Sequence, residues 1–410
     1  MRLNSLEEFG RETLARQRAA KRARRRRIVE RWIGASAVAV VEGRERVVFC
    51  SNDYLGLARD PRICDALSHA AAAGAGSGAS HLVCGHGEDH HRLEEELALF
   101  TQRPRALVFS SGYLANLGVV TALTGRGDRV LEDRLNHASL IDAALLSRAQ
   151  LVRYSHADAA AALKRLGEGV AGSTAGDMEL AEAGEGFGGH TLLATDGVFS
   201  MDGDLAPLAE LAAAAGDAGA WLMVDDAHGL GVIGASGRGS LELAGLDAAA
   251  APVLMGTLGK AVGTFGAFVA GSEALIELLI QNARSYIYTT ALPPAIASAT
   301  RASLRIVENA HEERARLRAH IELFRAEVPR LGLQLLDSHT PIQPIVLGSN
   351  ERAISASEAL WERGLWVSAI RPPTVPEGTA RLRVTLCANH TRSEVLQLIE
   401  ALGQVARRLA

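Results

Sequence analysis

Two short stretches hold the residues best suited to chemistry. "MVDDAHGLGVIG" (Met223 to Gly234) sets two carboxylates and an imidazole directly after an apolar run, and "MGTLGKAVG" (Met255 to Gly263) carries one lysine on a glycine-flanked turn. Of 43 basic residues, only Lys21, Lys164 and Lys260 are lysines. Arginine keeps its proton in a protein, whereas a lysine tuned by its neighbours acts as nucleophile or base. Asp225 and Asp226 follow their apolar run immediately, and a buried charge needs a partner. Asp225, Asp226 and His228 are also a possible metal set, although no further His/Asp cluster at ligand spacing follows them.

Two more stretches belong with these. "FSSGYLANLG" (Phe109 to Gly118) reads as a strand, a Ser-Ser-Gly turn and a helix start. Free N–H groups and the helix dipole make such a place an anion site, while Ser111 alone is equally an ordinary cap. "DGVFSMDGD" (Asp196 to Asp204) offers Ser200 next to an Asp-Gly turn. Together the four have one economical explanation. A phosphate takes the donors of Ser111, Gly112, Tyr113 and Thr257, a pyridinium nitrogen takes Asp225, and an aldehyde takes Lys260. That set describes pyridoxal 5′-phosphate (PLP) held as a Schiff base.

Residues of this kind are positioned by strand ends. "RALVF" (Arg105 to Phe109), "TLLAT" (Thr191 to Thr195), "WLMV" (Trp221 to Val224) and "VLM" (Val253 to Met255) read as buried strands of a parallel sheet. Helical stretches lie between them, such as His91 to Phe100 and Pro207 to Gly219. The pattern is an α/β doubly wound domain, with its site beyond the carboxyl ends of the strands. Three parts are expected: a basic N-terminal arm over 1–45, a large α/β domain over 46–290, and a small α+β C-terminal domain over 291–410. The arm includes "KRARRRRIVERW" (Lys21 to Trp32), which is helix-compatible and serves as a solvated face or an anion-docking patch. In the C-terminal part, one long polar helix is expected from Ala302 to Val328. Strands are expected at Pro341 to Gly348, Leu365 to Ile370 and Ala380 to Leu386, and a last helix from Arg392 to about Leu409. Gly167 to Gly189 reads as a long surface loop.

The chain has 410 residues, 48% of them hydrophobic, enough for one large core and a smaller one. A net charge of −4 argues against a nucleic-acid binder. The scattered cysteines Cys50, Cys64, Cys84 and Cys387 suit free thiols in a reducing cytosol. No apolar run has the length of a membrane span and the N-terminus has no signal core, so a soluble cytoplasmic protein is expected.

The chain resembles the α-oxoamine synthases of PLP fold type I, nearly end to end. The likeness is carried by "SNDYLGLA" (Ser51 to Ala58), "DRLNHASLIDA" (Asp133 to Ala143), "GVFSMDGDLAPL" (Gly197 to Leu208), "VDDAHGLGVIG" (Val224 to Gly234), "GTLGK" (Gly256 to Lys260) and "AIRPPTVPEGTARLRVTL" (Ala369 to Leu386). The resemblance implies the aspartate aminotransferase-like fold, with a large, mostly parallel-sheet domain and a small α+β domain. It implies a decarboxylative condensation of L-alanine with a pimeloyl thioester on coenzyme A or acyl carrier protein, with PLP as cofactor. Glycine C-acetyltransferase is the sister alternative.

By the same resemblance, Lys260 forms the Schiff base and moves the substrate α-proton. Asp225 pairs with the pyridine nitrogen, His137 stacks on the ring and assists as an acid, and His228 bonds the phenolic oxygen. Gly112, Tyr113, Ser200 and Thr257 hold the cofactor. Asn52 and Arg383 clamp the amino acid carboxylate, Thr374 lies on the acyl side, and Arg24 meets the thioester carrier. The family works as a homodimer with interface sites, and "YTTALPP" (Tyr288 to Pro294) is expected to complete the neighbour's phosphate site. No nucleic-acid or membrane partner is implied.

The chain departs from the family pattern at "GSGASHLVCGHGEDHHRLEEE" (Gly76 to Glu96), where Cys84 replaces a serine and Glu88 and Asp89 add acid. Cys84, His86, His90 and His91 invite a metal reading, but histidines at a helix start are read here as capping or packing groups. A regulator built on this fold would need a DNA-binding module for which the 45 N-terminal residues are too few. A nucleotide-binding enzyme would need GxGxxG after the first strand, which "GAGSGAS" (Gly74 to Ser80) does not supply.

Overall fold

The computed structural model describes residues 5–168 and 189–409. Most of the expected Gly167 to Gly189 loop therefore lies outside the described residues. The chain groups into two compact units: residues 53–200 with 204–314, and residues up to 52 with 201–203 and 315 onward.

The larger unit is built on a seven-stranded sheet. In spatial order its strands are Arg105–Phe109, Ala267–Gly271, Val253–Thr257, Trp221–Asp225, Thr191–Asp196, Arg129–Asp133 and Gln150–Tyr154. All pairings are parallel except those of Ala267–Gly271, which runs antiparallel to both its neighbours. Near-continuous apolar strands suit a sheet covered on both faces. One apolar cluster joins Leu107, Met223 and Val269 to helices Gly112–Leu123 and Ala138–Ser147. A second joins Leu131, Leu193 and Val224 to helices Ala159–Gly167 and Leu208–Asp217. The register sets Asp196 beside Asp225, and Asp225 beside Met255, so the carboxyl ends of three strands come level.

The smaller unit holds two four-stranded sheets. Val29–Trp32, Val38–Val41, Arg44–Val48 and Leu365–Trp366 form one; Gln334–Leu335, Ile342–Gly348, Ala380–Thr385 and Ser368–Ile370 form the other. Helices Leu6–Ala19, Asn350–Glu362 and Arg392–Leu409 and most of His311–Glu327 belong to it as well.

Three local expectations are corrected. The arm is not helical over Lys21 to Trp32: the helix runs Leu6–Ala19 and ends before Lys21, which has φ 53. Arg24 to Arg27 would stack like charges along a helix. Instead, Arg25 and Arg27 pair with Glu42 at 2.9 and 3.1 Å, and Arg27 lies 3.5 Å over the Trp361 ring. The single helix expected from Ala302 to Val328 is two, Pro294–Glu308 and His311–Glu327. Arg314, almost wholly buried, donates to the Val307 carbonyl at 2.8 Å, and Asn309 Nδ2 donates to Arg305 O at 2.8 Å. These donors satisfy carbonyls at the first helix's C-terminus and so favour its end there. Leu365 to Ile370 divides at Val367 into two short strands of different sheets.

Candidate active site

The lysine turn is rigid for local reasons. Gly263 N–H donates to Lys260 O at 2.9 Å, Thr264 N–H to Leu258 O at 2.9 Å, and Leu258 N–H to Gly266 O at 2.9 Å. Gly263 has φ +72, and a Cβ there would lie 2.6 Å from Ala58 N, so only glycine fits. Ser303 Oγ holds Val262 O from the neighbouring helix. On this turn Lys260 is half-buried, and its Nζ lies 2.8 Å from His228 Nε2.

His228 is gripped from both sides. Its Nδ1 meets the hydroxyl of Tyr54, a fully buried side chain. With Nζ donating to Nε2, the imidazole carries its proton on Nδ1 and donates it to the Tyr54 oxygen. Lys260, His228 and Tyr54 thus form one relay.

Asp225 closes its strand at 4% exposure. Its hydrogen-bond partners are both neutral: Asn116 Nδ2 at 2.7 Å and Ala227 N–H at 3.0 Å. Its negative charge is therefore free to meet a cationic nitrogen. Asn116 also donates to Ser139 Oγ at 2.8 Å, and that oxygen lies 2.7 Å from His137 Nδ1. The Ser139 N–H also donates to Nδ1, at 3.3 Å. Nδ1 is then an acceptor, and Nε2 carries the His137 proton. Desolvation holds the His137 pKa below its ordinary value, against the attraction of Asp225, so the ring is neutral at neutral pH. The His137 N–H donates to Asp196 Oδ2 at 2.9 Å. Burial, then repulsion from Asp225, raises the pKa of Asp196 well above the carboxylate range.

Ser111 caps helix Gly112–Leu123 by accepting from Leu114 N–H at 3.3 Å, which leaves Gly112 and Tyr113 at the helix start, where N–H groups lack intrahelical partners. Tyr113 is exposed, and its hydroxyl donates to Asp142. Thr257 ends its strand and donates to Gly266 O at 3.2 Å. Ser200 lies half-buried in the loop after Thr191–Asp196. The larger unit thus brings together Lys260 and His228, and separately links Asp225 to His137 through Asn116 and Ser139. This donor set fits PLP: an amine, a buried carboxylate with neutral partners, and a helix N-terminus with hydroxyls.

The smaller unit holds the other expected residues in two pairs. Arg383, on Ala380–Thr385, donates from Nη1 to Asn52 Oδ1 at 3.2 Å and to Thr385 Oγ1 at 2.9 Å. Arg24 Nη2 lies 3.5 Å from Thr374 Oγ1. Around that second pair, Arg22 binds Glu377, and Arg371 donates to the carbonyls of Lys21 and Ala23.

Asp226 is not a companion ligand to Asp225. Neighbours on a strand point to opposite faces. Its Oδ2 accepts from Ser240 N–H at 2.7 Å, and Cβ atoms at Gly229 or Gly239 would lie 2.1 or 1.7 Å from its oxygens. The Asp226 carboxylate organises this glycine-rich loop, and burial pushes its pKa up to about 7.

Sequence reasoning missed Tyr54, Asn116, Ser139 and Asp196, and it missed His156 altogether. His156 bridges Asp133 at 3.0 Å and Asp204 at 2.8 Å, and its ring meets Phe199 edge-on. It pins the loop that carries Ser200. Burial opposes its charge, but the two carboxylates raise its pKa to about 10. A histidine with a raised folded pKa stabilises fully below its unfolded value of about 6.5 and loses that contribution as pH rises through the folded pKa. Between about pH 6.5 and 10, the thermal stability gap between wild type and His156→Gln is therefore expected to shrink. A gap independent of pH over that window contradicts this assignment.

A profile of the aminotransferase class I and II family matches residues 44–402. The chain is 59% identical over 391 residues to an 8-amino-7-oxononanoate synthase of Methylococcus capsulatus, covering 95% of this chain and 96% of that one. It is 57% identical over 395 residues to the one of Thioalkalivibrio sulfidiphilus, covering 96% of each. Among solved structures, serine palmitoyltransferase of Sphingomonas wittichii superposes with TM-score 0.90 at 30% identity over 99% of both chains. A structure of SPT with PLP superposes with TM-score 0.89 at 31% identity, again over 99% of both chains. The chain belongs to the aminotransferase class I and II family and, within it, to the branch of the 8-amino-7-oxononanoate synthases.

Proposed function

We propose that this protein condenses L-alanine with a pimeloyl thioester, releasing carbon dioxide and forming 8-amino-7-oxononanoate for biotin biosynthesis, with PLP as cofactor. The observation that carries this reading is the Lys260–His228 contact at 2.8 Å, beyond the end of a strand next to the one that ends in Asp225. It sits in a chain more than half identical to two such synthases.

When bound, PLP supplies an aldehyde for the lysine and an electron-withdrawing ring that stabilises negative charge at the amino acid α-carbon. Lys260 would hold that aldehyde, and its free Nζ would take the α-proton of alanine. His228 orients Nζ, and once Nζ leaves Nε2 the other tautomer, with Nδ1 accepting from the Tyr54 hydroxyl and the proton on Nε2, would bond the phenolic oxygen. Asp225 keeps a proton on the pyridine nitrogen, and Asn116 fixes the carboxylate's angle. His137 covers the ring and, with its proton on Nε2, donates as carbon dioxide leaves. Gly112, Tyr113, Ser200 and Thr257 bind the phosphate end. Asn52 and Arg383 bind the carboxylate of alanine, Thr374 meets the acyl chain, and Arg24 meets the carrier. Coenzyme A and acyl carrier protein are both anionic, so a cationic arm steers either one. The working form is a cytoplasmic homodimer, with "YTTALPP" completing the neighbour's phosphate site.

Arg383→Lys keeps the charge and removes the planar fork. Losing a charge-assisted hydrogen bond costs about 1.5–3 kcal/mol, so KM for alanine is expected to rise about 10- to 100-fold. Steady-state kinetics at fixed thioester concentration check this, and an unchanged KM removes Arg383 from the carboxylate site. Titrating the holoenzyme with alanine, glycine and serine tests the substrate. A visible spectral change saturating at the lowest concentration with alanine is expected. A preference for glycine, with turnover of acetyl-coenzyme A, would assign the chain to glycine C-acetyltransferase chemistry instead.

A further inference from the structure

The histidine-rich entry to helix Glu88–Phe100 divides into two kinds of residue. His90 is a packing and capping group: its Nδ1 accepts the Gly87 N–H at 3.0 Å, and its Nε2 meets Leu292 O. His86 and His91 lie near Glu94 instead: one ligand atom from each of His86, His91 and Glu94 lies within 4.8 Å of the others, and His91 Nε2 also pairs with Glu95 Oε1 at 3.4 Å.

The trio has the marks of a prepared site. His91 and Glu94 are three residues apart on one helix, hence on one face. Glu94 is held in place: its Oε1 accepts the Val108 N–H at 3.0 Å from strand Arg105–Phe109, while Oε2 lies 4.0 Å from His86 Nε2. Its side chain is only 12% exposed. His86 Nδ1 lies 2.9 Å from His81 Nδ1, and His81 is itself stacked on Tyr286 with ring centroids 4.9 Å apart. One proton serves that pair of nitrogens. When His86 donates it, its Nε2 presents a lone pair toward Glu94, as in ligating histidines, whose other ring nitrogen is held by a hydrogen bond. Bonds of about 2.0–2.2 Å to a tetrahedral metal set ligand atoms roughly 3.4 Å apart, a contraction well under 1 Å for His86 and Glu94.

We propose that His86, His91 and Glu94 bind a divalent transition metal of the zinc class, with water in the open fourth position. Imidazole and carboxylate suit zinc, cobalt and nickel better than calcium or magnesium. The bound metal ties the segment His81–Gly85 to the helix behind it and stabilises the larger unit. This site shares no residue with the cofactor assignment.

The test uses PLP-loaded protein stripped of metal with a chelator, then titrated with zinc sulfate by calorimetry. Wild type is compared with His91→Ala and Glu94→Gln. His91 is 67% exposed, so its variant keeps the fold, as equal PLP content and equal metal-free Tm will show. One equivalent of zinc per chain is expected in wild type, with affinity reduced about 10-fold or more in both variants. Zinc should raise the Tm of wild type alone, and cobalt should give tetrahedral visible bands in wild type alone. No binding in wild type, equal affinity in all three proteins, or loss in only one variant overturns the three-ligand site.

Discussion

Lys260→Ala is expected to abolish turnover by about 10⁴-fold or more, because it removes both the covalent anchor and the proton acceptor at the substrate α-carbon. The loss should not come from misfolding. Lys260 is half-buried on a turn closed by its own backbone hydrogen bonds, and the side-chain contact it makes to His228 is polar. Unfolding curves should nearly overlay those of wild type. Borohydride treatment of PLP-loaded wild type, followed by peptide mass analysis, should find the adduct on residue 260. The alanine variant should give none, and Lys260→Arg should behave likewise, since a guanidinium forms no such bond at neutral pH. An adduct at Lys21 or Lys164, or near-normal turnover in the variant, contradicts the assignment.

The second large effect is expected at Asp225. Asp225→Asn keeps one acceptor oxygen, which can hold the Ala227 N–H, while its amide NH2 faces Asn116 Nδ2, so one of the two hydrogen bonds is lost. The charge goes, together with that one acceptor. A carboxylate at 4% exposure acts through a medium that screens it weakly, so its removal should lower kcat about 10²- to 10³-fold and weaken PLP binding, with a smaller loss of Tm than Asp225→Ala, which loses both acceptors. Asp225→Ala should lose more. It strands the Ala227 N–H and one donor of Asn116, whose Oδ1 already lacks a hydrogen-bond partner, and should cost about 1–3 kcal/mol of stability as well. Dialysis against PLP-free buffer, paired with thermal unfolding, separates the two variants. Equal loss of stability in both would mean that Asp225 serves structure rather than the cofactor.

Much of this was legible in the sequence, and the reasons are physical. Thr191–Asp196, Trp221–Asp225 and Val253–Thr257 are almost wholly apolar, which marks strands buried on both faces. Their polar terminal residues therefore announced the strand ends, and with them Asp225. Lys260 was legible by scarcity and by its glycines. Asn116 carried a signal that was passed over: an amide inside the apolar helical run "YLANLGVV", where helix propensity is low and burial demands partners. Tyr54 and Ser139 carried none, since a tyrosine or serine among small residues looks like ordinary packing. The two helices replacing one could not be read from periodicity. Their break depends on Arg314 and Asn309 meeting the last carbonyls, which are contacts rather than patterns. The arm failed as a helix because Glu42 and Trp361 compete for its arginines, and neither lies within the arm.

The most direct measurement incubates PLP-loaded protein with L-alanine and, in separate reactions, pimeloyl-coenzyme A and pimeloyl-acyl carrier protein, then identifies the product by mass. The account predicts 8-amino-7-oxononanoate from at least one carrier, with one carbon dioxide released per product and none formed by Lys260→Ala. Absence of that product with both carriers, while another amino acid and thioester are turned over, contradicts it.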